Sequence, residues 1–321
     1  MISKDIQLAV KCLNQNEVIG FPTETVYGLA GNAFNTEAIN KIFEVKKRPT
    51  FNPLIVHIKS IAELHKVAVD IPEMAYNLAN EFWPGPLTLI LKKQSHIPDL
   101  VTANQDTVAV RIPNHPVALE LLEELDFPLV APSANPFTSI SPTSAEHVEK
   151  YFHNQIAMVL DGGICTSGIE STIIGFENKQ VVVYRLGALA LEEIEKITGR
   201  VVVLNKKSKV TVAPGMLLKH YAPKTDFILT RNVQEELDWF SNKKIGLLLF
   251  NSYQTNFDRN FQFVLSEESD LKLAASRLYE AMHSLDAMNL DLIIAERFPE
   301  IDLGISINDR LERASKTNNT H

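Results

Sequence analysis

Up to about residue 205 the chain alternates short apolar runs of strand length with helical ones, the pattern of a sheet covered by helices. The strand-like runs are Val18–Pro22, Leu54–Ile58, Leu87–Lys92, Thr107–Ile112, Leu129–Ala131, Met158–Leu160, Ser171–Phe176 and Val181–Arg185. The clearest helix is Thr36–Lys47, where Ala38, Ile39, Ile42 and Phe43 fall on one face and Asn35 stands ready to cap the start. At 321 residues the chain exceeds what one core serves, since single cores stop growing at roughly 250–300 residues. Two domains are therefore expected. The composition changes at residues 206–224: the stretch NKKSKVTVAPGMLLKHYAPK holds five lysines, one histidine, two prolines and no acid, as an interdomain linker would. The expected division is residues 1–205, a linker over 206–224, and residues 225–321. In the last, Phe227–Thr230, Ile245–Phe250 and Leu292–Ala295 read as strands and Val233–Asn242 and Asp270–Asn289 as helices, giving a small Rossmann-like α/β layer.

The formal charge of −8 argues against a general nucleic-acid binder, which would carry a basic excess. The acidity is uneven, with 16 basic against 23 acidic residues in 1–205 and 15 against 16 in 206–321. Two distant cysteines, Cys12 and Cys165, allow neither a disulfide framework nor a CxxC metal site, so a reducing compartment is expected. No apolar run reaches signal-peptide or membrane-span length. The expected location is the cytoplasm, with no membrane partner.

Glycine-rich phosphate loops of either common spacing are missing, as are the GxSxG elbow, HExxH and a zinc-ligating cluster. Chemistry on this chain must rest on scattered polar residues brought together by folding. Phe21–Ala30, FPTETVYGLA, puts Thr23, Glu24, Thr25 and Tyr27 after a proline at a strand end. It reads either as recognition of a small polar ligand or as a capped turn before a helix. Lys46, Lys47 and Arg48 close the Thr36–Lys47 helix and lead to Asn52-Pro53 and a strand ending in His57. Such cations either offset the helix dipole or form a lysine and arginine fork for phosphate oxygens. In the run DTVAVRIP, alternation sets Thr107, Ala109 and Arg111 on one face and Val108, Val110 and Ile112 on the other. Arg111 reads either as an ordinary surface residue or, on a sheet face that helices cover, as one that lines a cleft and pairs with a carboxylate. Two loops rich in hydroxyls follow strands, APSANP at 131–136, continuing to Ser139 and Ser141, and TSGIEST at 166–172. Each is either turn chemistry or, with Arg48, Arg111 and Arg185, the outline of a polar pocket.

Six segments in order, FPTETVYGLA, KKRPTFNPLIVHI, WPGPLTLIL, TVAVRIPNHP, APSAN and GIESTI, resemble the YrdC-like L-threonylcarbamoyladenylate synthases over about residues 5–204. The stretch APGMLLKHYAP and the region after it resemble the longer, two-domain form of that family. The resemblance implies a twisted α/β sheet around a concave cavity, a Rossmann-like second domain, and a linker closing over the cavity. It implies synthesis of threonylcarbamoyl-AMP and pyrophosphate from L-threonine, bicarbonate and ATP, with Mg2+. A downstream threonylcarbamoyl transferase complex would then modify tRNA, which need not bind here. Carried over by residue, the family pattern assigns Lys46, Arg48, Asn52, Thr107, Ser133, Asn135, Ser141 and Arg185 to ATP, with Lys46 and Arg48 as the catalytic pair. It assigns Thr25, His57, Arg111, the backbone around Ala131, and Ser171 to threonine. From the linker, His220 and Tyr221 would reach over the nucleotide. The residues around Cys165 receive no role.

The implied reaction needs no enzyme nucleophile: the amine of threonine captures CO2, and the resulting N-carboxylate attacks the α-phosphorus of ATP. The work of the protein is then to position two anions and offset their charge. Two other readings compete. A double-stranded RNA-binding module of ribosome maturation would show salt-sensitive RNA affinity and no ATP turnover. A carbamoyl transfer enzyme of hydrogenase maturation would also carry cysteine-rich zinc motifs, which nothing in this chain matches.

Overall fold

The computed structural model describes residues 1–178, 180–204 and 220–316. Most of the expected linker, at 205–219, lies outside them, as do the last five residues. Two compact units divide the chain, one of Met1–Phe137 and Pro142–Met216 and the other of Thr138–Ser141 and Leu217–His321.

The strands of the first unit are β1 Ile2–Ser3, β2 Ile19–Phe21, β3 Gly28–Asn32, β4 Ile55–His57, β5 Leu87–Lys92, β6 Thr107–Arg111, β7 Leu129–Val130, β8 Met158–Leu160, β9 Thr172–Glu177, β10 Gln180–Arg185 and β11 Val202–Val203. They form one mixed sheet in the order β1-β8-β2-β3-β7-β4-β6-β5-β9-β10-β11. All eight expected strands are present. Three more, β1, β3 and β11, carry too little apolar pattern to be read in advance: two are dipeptides, and β3 is Gly-Leu-Ala-Gly-Asn.

Alternation along the central strands sorts their side chains into two buried layers. Val56, Leu89, Leu91, Val108 and Val110 enter the main core with helix residues such as Ile39, Ile42 and Leu78. Their neighbours Ile55, Ile90, Ala109, Ile173, Val182 and Tyr184 form a smaller cluster on the opposite face. His57 shares the parity of Ile55, Thr88 that of Ile90, Arg111 that of Ala109, and Ser171 that of Ile173. These four polar residues therefore stand on the second face, at one end of the sheet. A register shift between Val183 and Arg185 places Arg185 opposite Ile173, so Arg185 joins the same face.

The helix Thr36–Lys46 shows why its end is well placed. Asn35 accepts from the Ala38 amide at 2.9 Å, and Ala38, Ile39, Ile42 and Phe43 are buried. Burial of each large apolar side chain contributes roughly 1.5–3 kcal/mol. Lys47 turns left-handed at φ 52° and ends the helix one residue earlier than periodicity suggests. The Lys46 carbonyl, which has no partner within the helix, accepts from the Phe137 amide at 3.0 Å.

The second unit holds a four-stranded, all-parallel sheet of β12 Asp226–Thr230, β13 Ile245–Leu249, β14 Gln262–Val264 and β15 Leu292–Glu296, in the order β12-β15-β13-β14. Helices Val233–Trp239, Leu271–Asp286 and Asp302–Ala314 alternate with the strands. The last of these was not anticipated from the sequence. Its buried residues mix Leu303, Ile307, Leu311 and Ala314, at helical spacing, with Ser306, Asn308, Asp309, Arg310 and Arg313, so buried polar residues dilute the apolar period.

Candidate active site

Lys46 is 1% exposed, and its ammonium donates to the carbonyls of Ser133 and Asn135. The helix cation is thus no solvated cap. Desolvation, and after it the nearby Arg48, hold its pKa well below the ordinary lysine value. Arg48 is buried as well, with Nε donating to the Asn52 carbonyl at 3.2 Å and Nη2 to the Pro53 carbonyl at 2.9 Å. It braces the turn that carries Asn52. The Asn52 side chain is fully buried, and neither of its amide atoms has a hydrogen-bond partner. An orphaned buried polar group costs about 1–3 kcal/mol, and this amide keeps its hydrogen-bonding capacity unused.

Around Arg111 a second group forms. Its Nε donates to the Gly85 carbonyl at 3.2 Å and its Nη1 to Thr25 Oγ1 at 2.8 Å, while Thr25 Oγ1 lies 2.9 Å from Thr23 Oγ1. Arg111 Nη2 stands 2.6 Å from Glu24 Oε1, close enough for strong charge attraction but outside hydrogen-bond angles. The expected carboxylate partner of this arginine is therefore Glu24. His57 is in register with Arg111 across the parallel pair of β4 and β6 and packs edge-on against Phe21 at 5.7 Å. Burial, and secondarily Arg111, lower its pKa to about 3, so the ring is neutral, and its Nδ1 has no partner. The strand-end histidine is thus buried but not satisfied.

Ser171 links the far side. Its hydroxyl lies 2.7 Å from Thr88 Oγ1 and receives Arg185 Nη2 at 3.0 Å, while its carbonyl accepts from Arg185 Nε at 3.0 Å. Gly187 packs so tightly on the backbone of Ser171 and Thr172 that any Cβ there would collide with it.

Thr25, Lys46, Arg48, Asn52, His57, Arg111, Ala131, Asn135, Ser171 and Arg185 are all buried in the first unit. Thr107 and Ser133 belong to the same unit and are half-buried. Ser141, His220 and Tyr221 belong to the second unit. There the His220 ring lies 4.1 Å from the Tyr221 ring, and Tyr221 takes a left-handed φ of 63° beneath the Arg310 guanidinium. Sequence reasoning missed the part played by Glu24 and by Thr88. Both carry a signal in hindsight: an acid inside a hydroxyl cluster, and one hydroxyl in the apolar strand Leu-Thr-Leu-Ile-Leu. Cys165 is buried, with a thiol pKa raised chiefly by desolvation and then by Glu24.

A buried array of lysine and arginine with an open amide and imidazole, among bonded hydroxyls, suits a phosphate-bearing ligand and a small carboxylate. A family model described as Telomere recombination, the Sua5, YciO and YrdC domain, matches residues 11–187. A second, described as the C-terminal domain of threonylcarbamoyl-AMP synthase, matches residues 189–316. The threonylcarbamoyl-AMP synthase of Pyrococcus abyssi is 40% identical, over 97% of this chain and 94% of that protein. That of Bacillus subtilis is 38% identical, over 97% and 92%. The crystal structure of P. abyssi Sua5 complexed with L-threonine superposes with a TM-score of 0.90, at 39% identity over 97% of this chain and 94% of that one. The chain belongs to the threonylcarbamoyl-AMP synthase family, in its two-domain form.

Proposed function

We propose that this chain joins L-threonine, bicarbonate and ATP into threonylcarbamoyl-AMP, releasing pyrophosphate. The observation that carries the reading is the match over nearly the whole chain to a protein solved with L-threonine, on a chain whose own Lys46, Arg48 and Arg111 are buried cations. Arg111 neutralises the threonine carboxylate, with Thr25, His57, the Ala131 backbone and Ser171 around the remainder of the amino acid. Lys46 and Arg48 hold the phosphates as the N-carboxylate attacks the α-phosphorus, and Asn52, Thr107, Ser133, Asn135, Ser141 and Arg185 complete the nucleotide contacts. The transition state gains charge on its equatorial oxygens, and fixed cations in a water-poor site are worth more there than in solvent. Desolvation disfavours the charge on Lys46, and an anionic phosphate beside it favours that charge.

Mg2+ would enter with the nucleotide and would offset the charge of its phosphates. His220 and Tyr221, at the end of the 206–224 linker, act as a lid on the adenylate. The division into residues 1–205, the linker and residues 225–321 then separates chemistry from lid support. The product passes to a separate threonylcarbamoyl transferase complex that modifies tRNA, so tRNA need not bind here. The acidic balance of the chain accords with that. Among the described residues no helix is long and apolar enough to cross a membrane, and the reaction belongs in the cytoplasm, where its substrates are. The test is pyrophosphate release from ATP by purified protein with L-threonine and bicarbonate each present or omitted. Release is expected only with both, and turnover indifferent to threonine would end the reading.

A further inference from the structure

Glu24 has no part in the reaction as described, yet its surroundings are unusual for a carboxylate. It is 4% exposed and lies three residues beyond the end of β2, in a segment held on both sides. Its carbonyl accepts from the Ser167 amide at 2.7 Å, and the Thr23 hydroxyl bridges to Val26 O at 2.6 Å. Its position is therefore built in. Neither of its side-chain oxygens receives a hydrogen bond. The Nη2 of Arg111 makes none either, although Nε and Nη1 of the same guanidinium are anchored on Gly85 and Thr25. Here two opposite charges meet at 2.6 Å in the interior, each with unused hydrogen-bonding capacity. A purely structural buried ion pair persists only when further hydrogen bonds satisfy both partners.

A zwitterionic amino acid offers the complement: a carboxylate for the open edge of the arginine and, one carbon away, an ammonium for the open oxygens of the glutamate. We propose that Glu24 receives the α-ammonium of the amino-acid substrate while Arg111 takes its carboxylate, and that Glu24 then accepts the proton the nitrogen must lose. One N–H bond breaks, its electron pair stays on nitrogen, and an O–H bond forms on Glu24, whose charge is neutralised. The freed pair attacks CO2, which forms from bicarbonate with loss of hydroxide; the second N–H proton that leaves as the N-carboxylate forms turns that hydroxide into water, and the proton held by Glu24 returns to solvent after the product leaves. The inference rests on the proposed use of L-threonine. The other charged or titratable groups near Glu24 are Arg111, His115 and Cys165. Burial lowers the His115 pKa and raises that of Cys165, so neither gains charge in mildly alkaline solution.

The experiment compares the full chain with Glu24→Gln and Glu24→Asp, using calorimetric binding of L-threonine and of its 2-hydroxy analogue, which lacks the amine. The unaltered protein is expected to prefer L-threonine by about tenfold or more, equivalent to about 1.4 kcal/mol. In Glu24→Gln that preference falls towards unity while the analogue binds as before. At saturating threonine, Glu24→Gln also releases pyrophosphate at least about tenfold more slowly, and alkaline pH, which frees the amine in solution, recovers much of the loss. Equal weakening of both ligands would mean that Glu24 only braces Arg111 and would overturn the proposal. Absence of alkaline recovery would overturn its proton-accepting part. Should Glu24→Gln not fold, Glu24→Asp decides: a carboxylate withdrawn by one carbon lowers the preference for the amine, and an undiminished preference overturns the idea. A wild-type protein indifferent to L-threonine in both binding and pyrophosphate release would instead defeat the underlying substrate reading.

Discussion

Both units bury charge, and they do so in opposite ways. In the second unit, Asp309 receives Arg313 Nε at 2.9 Å and lies 3.5 Å from Arg310 Nη1, while Asn308 exchanges two 2.9 Å hydrogen bonds with the Phe298 backbone. None of the buried side-chain atoms of these residues lacks a partner, and their charges lie on the buried side of the helix Asp302–Ala314. In the first unit, buried atoms of Glu24, Asn52, His57, Arg111 and His115 have no hydrogen-bond partner. A closed polar network specifies architecture, whereas an open one at the same burial marks a place kept for a ligand.

Substitutions that open the closed network or close the open one test this contrast. Arg111→Ala should have the largest effect, because it removes the proposed anchor of the threonine carboxylate and leaves Glu24 as an unpaired buried charge. The threonine KM in the pyrophosphate assay should rise about 100-fold, and urea unfolding should show a loss of about 3–5 kcal/mol. Threonine dependence equal to that of the unaltered protein would sink the assignment. Asp309→Asn should cost the second unit a comparable amount, about 3 kcal/mol, yet leave the threonine KM within about twofold. A KM shift as large as that of Arg111→Ala would erase the distinction between the units.

Lys46→Ala should raise the ATP KM or lower kcat by about 10- to 100-fold, the loss expected for one charged hydrogen bond, with threonine binding by calorimetry little changed.

His57 gives a pH signature. Its folded pKa of about 3 lies below the ordinary value of 6.5, so the folded state binds fewer protons than the unfolded chain between those limits. Its contribution is present above about pH 6.5 and is lost as pH falls towards 3, at up to about 1.4 kcal/mol per pH unit. Unfolding free energy measured against pH should fall less steeply in His57→Gln than in the unaltered protein. A small effect is expected from Asn35→Ala, about 1 kcal/mol of stability from the lost cap with no change in either KM.

Legibility differed in the same way between the units. The first was readable in its strands because alternation and β-branched runs report on a sheet buried on both faces. The cap at Asn35 and the division of Arg111 from Val108 and Val110 followed from local periodicity. The helix Asp302–Ala314 escaped notice because half of its buried residues are polar or charged, and these dilute the apolar spacing of Leu303, Ile307, Leu311 and Ala314. Thr88 and Glu24 escaped for a related reason, since the partner that gives each its meaning is 83 or 87 residues away.

The sequence by itself determined the α/β class, most strands of the first unit, the expectation of two units and, through six ordered motifs, the family. These are properties of local period, composition and spacing, which survive without knowledge of what meets what. Only the tertiary structure decided that Lys46 is desolvated against two carbonyls, that a register shift turns Arg185 onto the face of Ser171, and that the carboxylate facing Arg111 is Glu24. Burial and partner choice are set by contacts between distant strands, and the same arginine in the same motif is a solvated charge or a buried anchor according to those contacts alone.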